Sequence, residues 1–399
     1  MAPRSVPPWL RRLADVVLAF TAVTIPLSIS GMQIGIGTLF GLAVLAPLVG
    51  ARVVRRTPLD GWLALFLGVL VLSTLASLRP HEAGGWSRMW VLIGFFGIYW
   101  WLDPARAVRF TGWLVAGGTV AAVYGVVQHW TGADWYRTLM GRELEVRARV
   151  EGAGGYAVIG FFSSYLTFAH LMVFPLAAAT TRALAGSVRA GGASVLMLAS
   201  IVLSTARGAW IALLGGVVVL ALVGGRRWAV RLVPAALVVA ALTVGASPHL
   251  RAQIEPMFTL EGPNAGRVAI YRANLDIVHD HPWLGFGFGR YRPHAKPYYE
   301  PYPAADRKSH AHNNFLHMAA EAGLLGLTAF ALLYAAILRL GWEAVRATRG
   351  GPIGPTAAGA WLGIVAFLLG GLTQYNFGDN EVAIAMWATT AVLLRCRDA

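Results

Sequence analysis

The sequence predicts an all-α polytopic membrane protein, and three observations support this fold class. Of its 399 residues, 57% are hydrophobic. Only 13% are charged, about half of the roughly 25% that is usual in soluble domains. The apolar residues form long continuous runs, whereas a transmembrane β-barrel would show short segments of alternating polarity.

Membrane-spanning helices are predicted from the apolar runs, since about twenty apolar residues cross the hydrocarbon core of a bilayer. Twelve spans result, and a division at Arg207 is required because one long apolar stretch must turn back on itself there. We find no internal repeat and no separable soluble domain, so residues 1–399 are predicted to form a single membrane domain. The predicted spans are 13–30, 32–50, 60–78, 89–102, 109–129, 157–181, 193–206, 208–224, 229–247, 313–338, 356–374 and 382–396.

The arginines predict how the chain is oriented in the membrane. One set of helix ends and connections carries most of them, whereas the short connections of the other set carry only Arg79, Arg88 and Arg207. Cytoplasmic connections are enriched in Lys and Arg, so both termini are predicted to be cytoplasmic. This orientation places residues 130–156 and a loop at about 248–312 on the outer face of the membrane.

The formal net charge of +14 is explained by the same arginines. In a soluble protein such a charge would suggest a nucleic acid partner. Here the basic residues lie between apolar runs, where they act as topology determinants, and the bilayer is the expected partner. We find no nucleic-acid-binding module. The one cysteine, Cys396, excludes an intrachain disulfide.

A polar loop at about 248–312, between the ninth and tenth spans, is the largest departure from the apolar pattern. It is too long to be a simple connection, so we expect it to carry structure of its own. Polar groups concentrated at a membrane face indicate chemistry or recognition. Six of the ten histidines lie in this loop: His249, His279, His281, His294, His310 and His312.

Two arginines are candidates for binding an anionic group. Arg207 stands between apolar runs, where a cation is unfavourable unless it pairs or faces water; snorkelling to the interface is the alternative. Pro263 and Asn264, followed by apolar residues at helical spacing, predict a helix that ends near Pro282. Arg267 would lie in its first turn, where the guanidinium and exposed backbone N–H groups favour phosphate. The alternative for Arg267 is a solvated loop residue.

His312 is the candidate general base. With Ser309 as the N-cap, His312 is predicted to lie in the first turn of the tenth span. A neutral imidazole there can accept a proton near pH 7 because its ordinary pKa is about 6.5. His310 and Asn313 flank it and are predicted to contact substrate. A metal site would need three or four convergent ligands, and no spacing matches a known pattern, so no metal is predicted. A structural role for His312 remains the other alternative.

Several other polar residues are assigned smaller roles. Glu321, four residues after His317, is interpreted as half of a buried pair that orients its helix. His170 is interpreted as structural. In the outer segment after the fifth span, Arg142 and Arg147 are predicted to contact substrate or lipid phosphates, and a solvated face with internal ion pairs is the alternative.

The order and spacing of several short motifs resemble those of the bacterial O-antigen ligase family, within a wider group that includes O-antigen polymerases. The resemblance extends to the outline of the chain, with about twelve spans and one large outer loop late in the sequence. Each motif is weak alone, whereas their order and spacing are specific for the family. The motifs are Ser204-Thr205-Ala206-Arg207-Gly208, Gly266-Arg267, Pro282-Trp283-Leu284-Gly285-Phe286-Gly287, and His312-Asn313-Asn314-Phe315-Leu316 followed by Glu321, Gly323 and Gly326.

This resemblance implies both an architecture and an activity. Family members are similar to C-type glycosyltransferases and lie in the bacterial inner membrane with the active site facing the periplasm. The implied donor is an O-antigen glycan on undecaprenyl pyrophosphate, and the acceptor is a sugar hydroxyl of lipid A–core, joined during lipopolysaccharide maturation. The implied reaction inverts the anomeric carbon and uses no metal or other cofactor. The positions that match the essential residues of the family are Arg207, Arg267 and His312.

Three alternative functions remain at this point. An O-antigen polymerase would use the same donor with a second lipid-linked glycan as acceptor. A protein O-oligosaccharyltransferase usually carries a large C-terminal outer domain, which is not expected here. A secondary anion transporter would also have twelve spans and buried arginines. Transporters place charge at mid-membrane in broken helices, whereas the cations here are predicted to cluster at one face.

Overall fold

The structure, a computed structural model, describes residues 6–77, 84–141, 155–224, 226–248, 251, 263–305 and 310–399. These ranges contain sixteen α-helices and no β-strand, so the predicted all-α class is confirmed. The helices are α1 (Pro8–Thr24), α2 (Ile29–Leu45), α3 (Asp60–Leu75), α4 (Leu92–Trp101), α5 (Pro104–Thr131), α6 (Trp135–Leu139), α7 (Tyr165–Leu184), α8 (Val188–Leu203), α9 (Arg207–Gly224), α10 (Arg226–Ala246), α11 (Pro263–Asp280), α12 (Tyr291–His294), α13 (Lys296–Tyr299), α14 (Asn314–Ala347), α15 (Gly354–Gly370) and α16 (Asn380–Cys396).

Three helical segments in the described ranges are long and apolar enough to cross a membrane: Ile29–Val49, Pro104–Thr131 and Asn314–Ala347. Shorter apolar helices accompany them, and a helix lies at each of the twelve positions predicted to span. The chain is therefore a membrane protein by length and composition of its helices. The number of spans, the sidedness and the single-domain organisation remain predictions.

The division predicted at Arg207 is present in the structure. Helix α8 ends at Leu203 and α9 begins at Arg207. Between them Thr205 has φ 61°, a left-handed conformation that is rare for a β-branched residue. The Ser204 hydroxyl accepts a hydrogen bond from the Ala206 N–H at 3.3 Å and supports the turn. This tight reversal places the Arg207 side chain at the end of the helix bundle.

Helix ends meet at this same end of the bundle, which we call the His312 end. Helix α14 begins where α15 ends, since the Asn314 N–H donates to the Gly371 carbonyl at 2.7 Å. At the start of α9, a Cβ on Gly208 would lie 2.4 Å from Thr373 Oγ1, so only glycine fits there. In α7, Thr167 donates to the carboxylate of Asp379, which caps α16. The starts of four helices thus surround one small region.

Helix α14 is interrupted at Gly323, which has φ 65° and ψ −169°. A turn formed by residues 282–289 fills the interruption. The Phe286 and Gly287 N–H groups donate to the carbonyls of Ala320 and Glu321 at 3.0 and 2.9 Å. On the other side of the break, Leu324 N–H donates to the Pro282 carbonyl at 2.7 Å. The polar groups released by the interruption are therefore satisfied by the turn.

We expect Gly323→Ala to destabilise the protein severely. A Cβ at this position would lie 2.2 Å from the backbone carbonyl of Trp283, and the positive φ adds strain of about 1–3 kcal/mol. Gly37→Ala is the matched control, because a Cβ there has no neighbour within 4 Å. Within a helix it should stabilise by roughly 0.5–1 kcal/mol. Thermal unfolding of both variants in detergent tests this, and equal melting temperatures would contradict it.

Candidate active site

The described part of the long loop is folded, as the sequence predicts. Helix α11 spans Pro263–Asp280, so the predicted start at Pro263 and the end just before Pro282 are confirmed. It packs against α14 and has a small core of its own that includes Ala273 and Ile277, both fully buried. The loop is therefore a rigid support for the side chains it carries.

Arg207 and Arg267 lie close to each other, although they are sixty positions apart in the sequence. Arg207 Nη1 lies 3.5 Å from Asn264 Oδ1 in the first turn of α11. The positive charge of Arg267 disfavours the charge of Arg207, and both side chains are half-buried. Two neighbouring cations attract an anion more strongly than either does alone. The geometry therefore suits the binding of a polyanionic group.

His312 lies just before α14, so the prediction that it sits in the first helical turn with Ser309 as N-cap is wrong. Asn313 is the cap: its Oδ1 accepts hydrogen bonds from the N–H groups of Phe315 and Leu316 at 2.9 and 3.0 Å. His312 has φ 50° and is left-handed. Its Cα–Cβ bond therefore points in a different direction from that of a residue in a right-handed helix.

Two residues hold His312 in place. Its Nδ1 lies 2.8 Å from Gln374 Oε1, and because an amide oxygen only accepts, Nδ1 carries the proton and the lone pair of the ring is on Nε2. The Tyr271 hydroxyl donates to the carbonyls of His312 and Leu372 at 3.3 and 3.0 Å. Burial raises the pKa of Tyr271, while the positive charge of Arg267 acts in the opposite direction. Tyr271 thus fixes the backbone of His312 and lies within the electrostatic influence of Arg267.

Behind His312 lies a buried group of polar and aromatic side chains. The His310 ring is 4.3 Å from the His312 ring, and its Nδ1 accepts from the His312 N–H at 3.3 Å. His317 Nε2 and Glu321 Oε1 are 3.4 Å apart and both side chains are 1% exposed, which confirms the predicted pair. The Tyr375 ring stacks on His317 with 3.6 Å between centroids. This group supports the backbone that carries His312.

His170, which the sequence indicates to be structural, is buried at the same end of the bundle. Its Nδ1 contacts the Leu166 carbonyl at 2.9 Å. A Cβ on Gly370 would lie 2.9 Å from its ring, so the imidazole is wedged between helices. It interacts electrostatically with both Arg267 and Asp379. His170 therefore fills the space between α7, α9 and α15 beside the candidate site.

For some of the predicted site residues, the structure does not show an arrangement that would bind substrate. Arg142 and Arg147 lie outside the described residues. The Asn313 side chain caps α14 and also donates from Nδ2 to the Leu372 carbonyl at 2.9 Å. In the part of the chain that the structure describes, no three His, Cys, Asp or Glu side chains are grouped as metal ligands would be.

A comparison with protein-family models finds one matching family for the middle of the chain. Residues 192–331 match the family described as O-antigen ligase, and this range contains Arg207, Arg267 and His312. The segment is therefore a domain of that family, which confirms the resemblance found in the motifs. This match supports a role in the transfer of lipid-linked glycans at a membrane. No curated protein matches the chain.

We expect Tyr271→Phe to destabilise the region around His312, because it removes the donor to two backbone carbonyls. The loss should be about 0.5–1.5 kcal/mol, as for a typical intramolecular hydrogen bond. Tyr302→Phe is the matched control on the same loop, since its hydroxyl donates only to the exposed Asp276 carboxylate. Thermal unfolding measures both, and an equal effect of the two substitutions would contradict the role of Tyr271.

Proposed function

We propose that this protein is an O-antigen ligase that transfers glycan from undecaprenyl pyrophosphate to a sugar hydroxyl of lipid A–core. It does so at the periplasmic face of the bacterial inner membrane, with both termini in the cytoplasm. The observation that carries this proposal is the convergence of two neighbouring arginines and one oriented imidazole at one end of the bundle. The match of residues 192–331 to the O-antigen ligase family supports it.

The arginines supply what a pyrophosphate leaving group requires. As the bond between the anomeric carbon and pyrophosphate breaks, its electron pair passes to the phosphate oxygen. Arg207 and Arg267 stabilise that growing negative charge through fixed guanidinium groups. A bound polyanion would offset the repulsion between these two cations. Fixed cations take the role that metal ions have in many enzymes that use sugar nucleotides.

The imidazole of His312 receives the proton of the acceptor. The acceptor oxygen attacks the anomeric carbon from the face opposite to pyrophosphate, which inverts that centre, and its proton passes to Nε2. The Gln374 amide fixes this tautomer by accepting from Nδ1 at 2.8 Å. A neutral imidazole held in this way acts as a general base. Arg142, Arg147, His310 and Asn313 are proposed to contact the glycan or lipid phosphates.

Purified protein with undecaprenyl-pyrophosphate-linked glycan, with and without lipid A–core and in EDTA, tests the proposal. A glycan-bearing lipid A–core that forms only with acceptor present supports a metal-independent ligase. Longer lipid-linked glycans without acceptor would identify a polymerase instead. No product in either tube would return the anion transporter to consideration.

We expect Arg267→Ala to lower transfer by about 10²–10³-fold, as for loss of one charge-stabilising donor. Arg272→Ala is its control, because Arg272 lies on the same helix and is exposed.

We expect His312→Ala to lower transfer by about 10²–10⁴-fold, as for loss of a general base. His279→Ala is its control, because the His279 side chain is 88% exposed. Rates are compared at equal amounts of folded protein. Near wild-type transfer in either site variant would refute the assignment.

We expect Gln374→Glu to move the acid limb of the pH–rate profile to higher pH. A carboxylate 2.8 Å from His312 Nδ1 would stabilise the imidazolium, and an opposite charge at this distance raises a pKa by about one unit or more. Gln374→Ala should lower the rate without that shift. Profiles of the three proteins between pH 5 and about pH 9 measure the effect, and an unchanged limb in the Glu variant would exclude His312 as the base.

A further inference from the structure

A cavity of about 520 Å³ lies between α7, α9, α14 and α15. Its volume is within the range of about 300–1,000 Å³ that is typical of ligand sites. Helices α7, α9 and α14 begin at the His312 end, and residues from their far halves line the cavity: Leu184, Leu220 and Arg346. The cavity therefore lies at the opposite end of the bundle from the candidate active site.

The cavity is lined by both apolar and positively charged residues. Leu184, Leu220 and Trp342 contribute apolar surface, and Arg346 and Arg349, which are exposed, line it as well. Within the described residues, neither guanidinium forms an ion pair.

The acid closest to these arginines along α14 is already engaged. Glu343 is three residues before Arg346, yet it pairs with Arg339 at 3.6 Å and with Arg397 at 3.2 Å. Arg346 and Arg349 therefore keep their full charge for a group from outside the protein. The same face of the molecule carries the arginines that predict a cytoplasmic side.

Two features place the cavity at the level where lipid head groups meet acyl chains. The Trp342 ring packs against the Trp361 ring with 5.3 Å between centroids, and tryptophan is enriched at membrane interfaces. On α9, Leu220 lines the cavity, whereas Val218 and Leu222 lie on the opposite face of the helix and are 55% and 79% exposed. Apolar side chains that project in this way from a membrane helix contact lipid, so α9 meets acyl chains at the level of the cavity.

We propose that this cavity binds an anionic phospholipid of the inner leaflet. The phosphate and its head group contact Arg346 and Arg349, and an acyl chain lies along Leu184, Leu220 and Trp342. A free phosphate ion would leave this apolar wall empty, and a zwitterionic lipid would bring a cation towards two arginines. Basic recesses between membrane helices on the cytoplasmic side are suited to anionic head groups.

Native mass spectrometry of the purified full-length protein tests the proposal, with phosphatidylglycerol and phosphatidylethanolamine of identical acyl chains as probes. Each arginine near an anionic surface contributes about 1 kcal/mol, which is about fivefold in affinity. We therefore expect Arg346→Gln and Arg349→Gln each to weaken phosphatidylglycerol binding by about fivefold. Arg339→Gln is the matched control, since it removes a charge from the same helix that already pairs with Glu343.

A second variant tests the cavity itself. Ala358 lies on its wall, and Ala358→Phe should exclude the acyl chain while both arginines remain. Loss of phosphatidylglycerol in this variant supports a lipid site. Equal binding of the two lipids by the wild-type protein would overturn the proposal. Full retention of phosphatidylglycerol when Arg346→Gln and Arg349→Gln are combined in one variant would overturn it as well. Displacement of the lipid by millimolar inorganic phosphate would identify a simple anion site instead.

Discussion

The pairing between the start of α14 and residues 371–377 is the interaction on which the candidate site depends. Asn314 is 1% exposed, and its side-chain amide bonds to Asn376 Oδ1 at 2.5 Å and to the Phe377 N–H at 3.0 Å. A buried amide is held firmly only when its donors and acceptors are satisfied. This pairing fixes the backbone that follows His312 and brings Gln374 against its ring. Without it, the imidazole would have neither a fixed direction nor a fixed tautomer.

Backbone strain and charge repulsion, which raise the free energy of the folded state, are concentrated at this end of the bundle. In the described residues, Thr205 and His312 are the non-glycine positions with positive φ, and each adjoins or belongs to the proposed machinery. The repulsion between Arg207 and Arg267 adds an electrostatic term. Such terms persist only where the surrounding packing enforces them, and they are common at functional sites. An anion bound beside the two arginines would offset the electrostatic part.

The sequence predicts those parts of the structure that depend on local pattern. Long apolar runs locate the helices, and Pro263 with the following apolar spacing locates α11. The sequence predicts the wrong N-cap for α14 because Ser309 and Asn313 both have capping side chains, and the local pattern does not distinguish them. Gln374 and Tyr271 were missed since their contacts with His312 join distant segments. A polar glutamine at the end of a predicted apolar span was the one local signal for Gln374.

The interruption of α14 at Gly323 has a consequence for how the chain assembles. Its unpaired carbonyls and N–H groups are satisfied by residues 282–287, which precede it in the sequence. In hydrocarbon these groups cannot be left to water. The turn at residues 282–287 must therefore be in place before the interrupted part of α14 can be buried. Folding of the loop that carries Arg267 thus precedes the final packing of the helix that follows His312, so chains in which this loop misfolds would lack both halves of the candidate site.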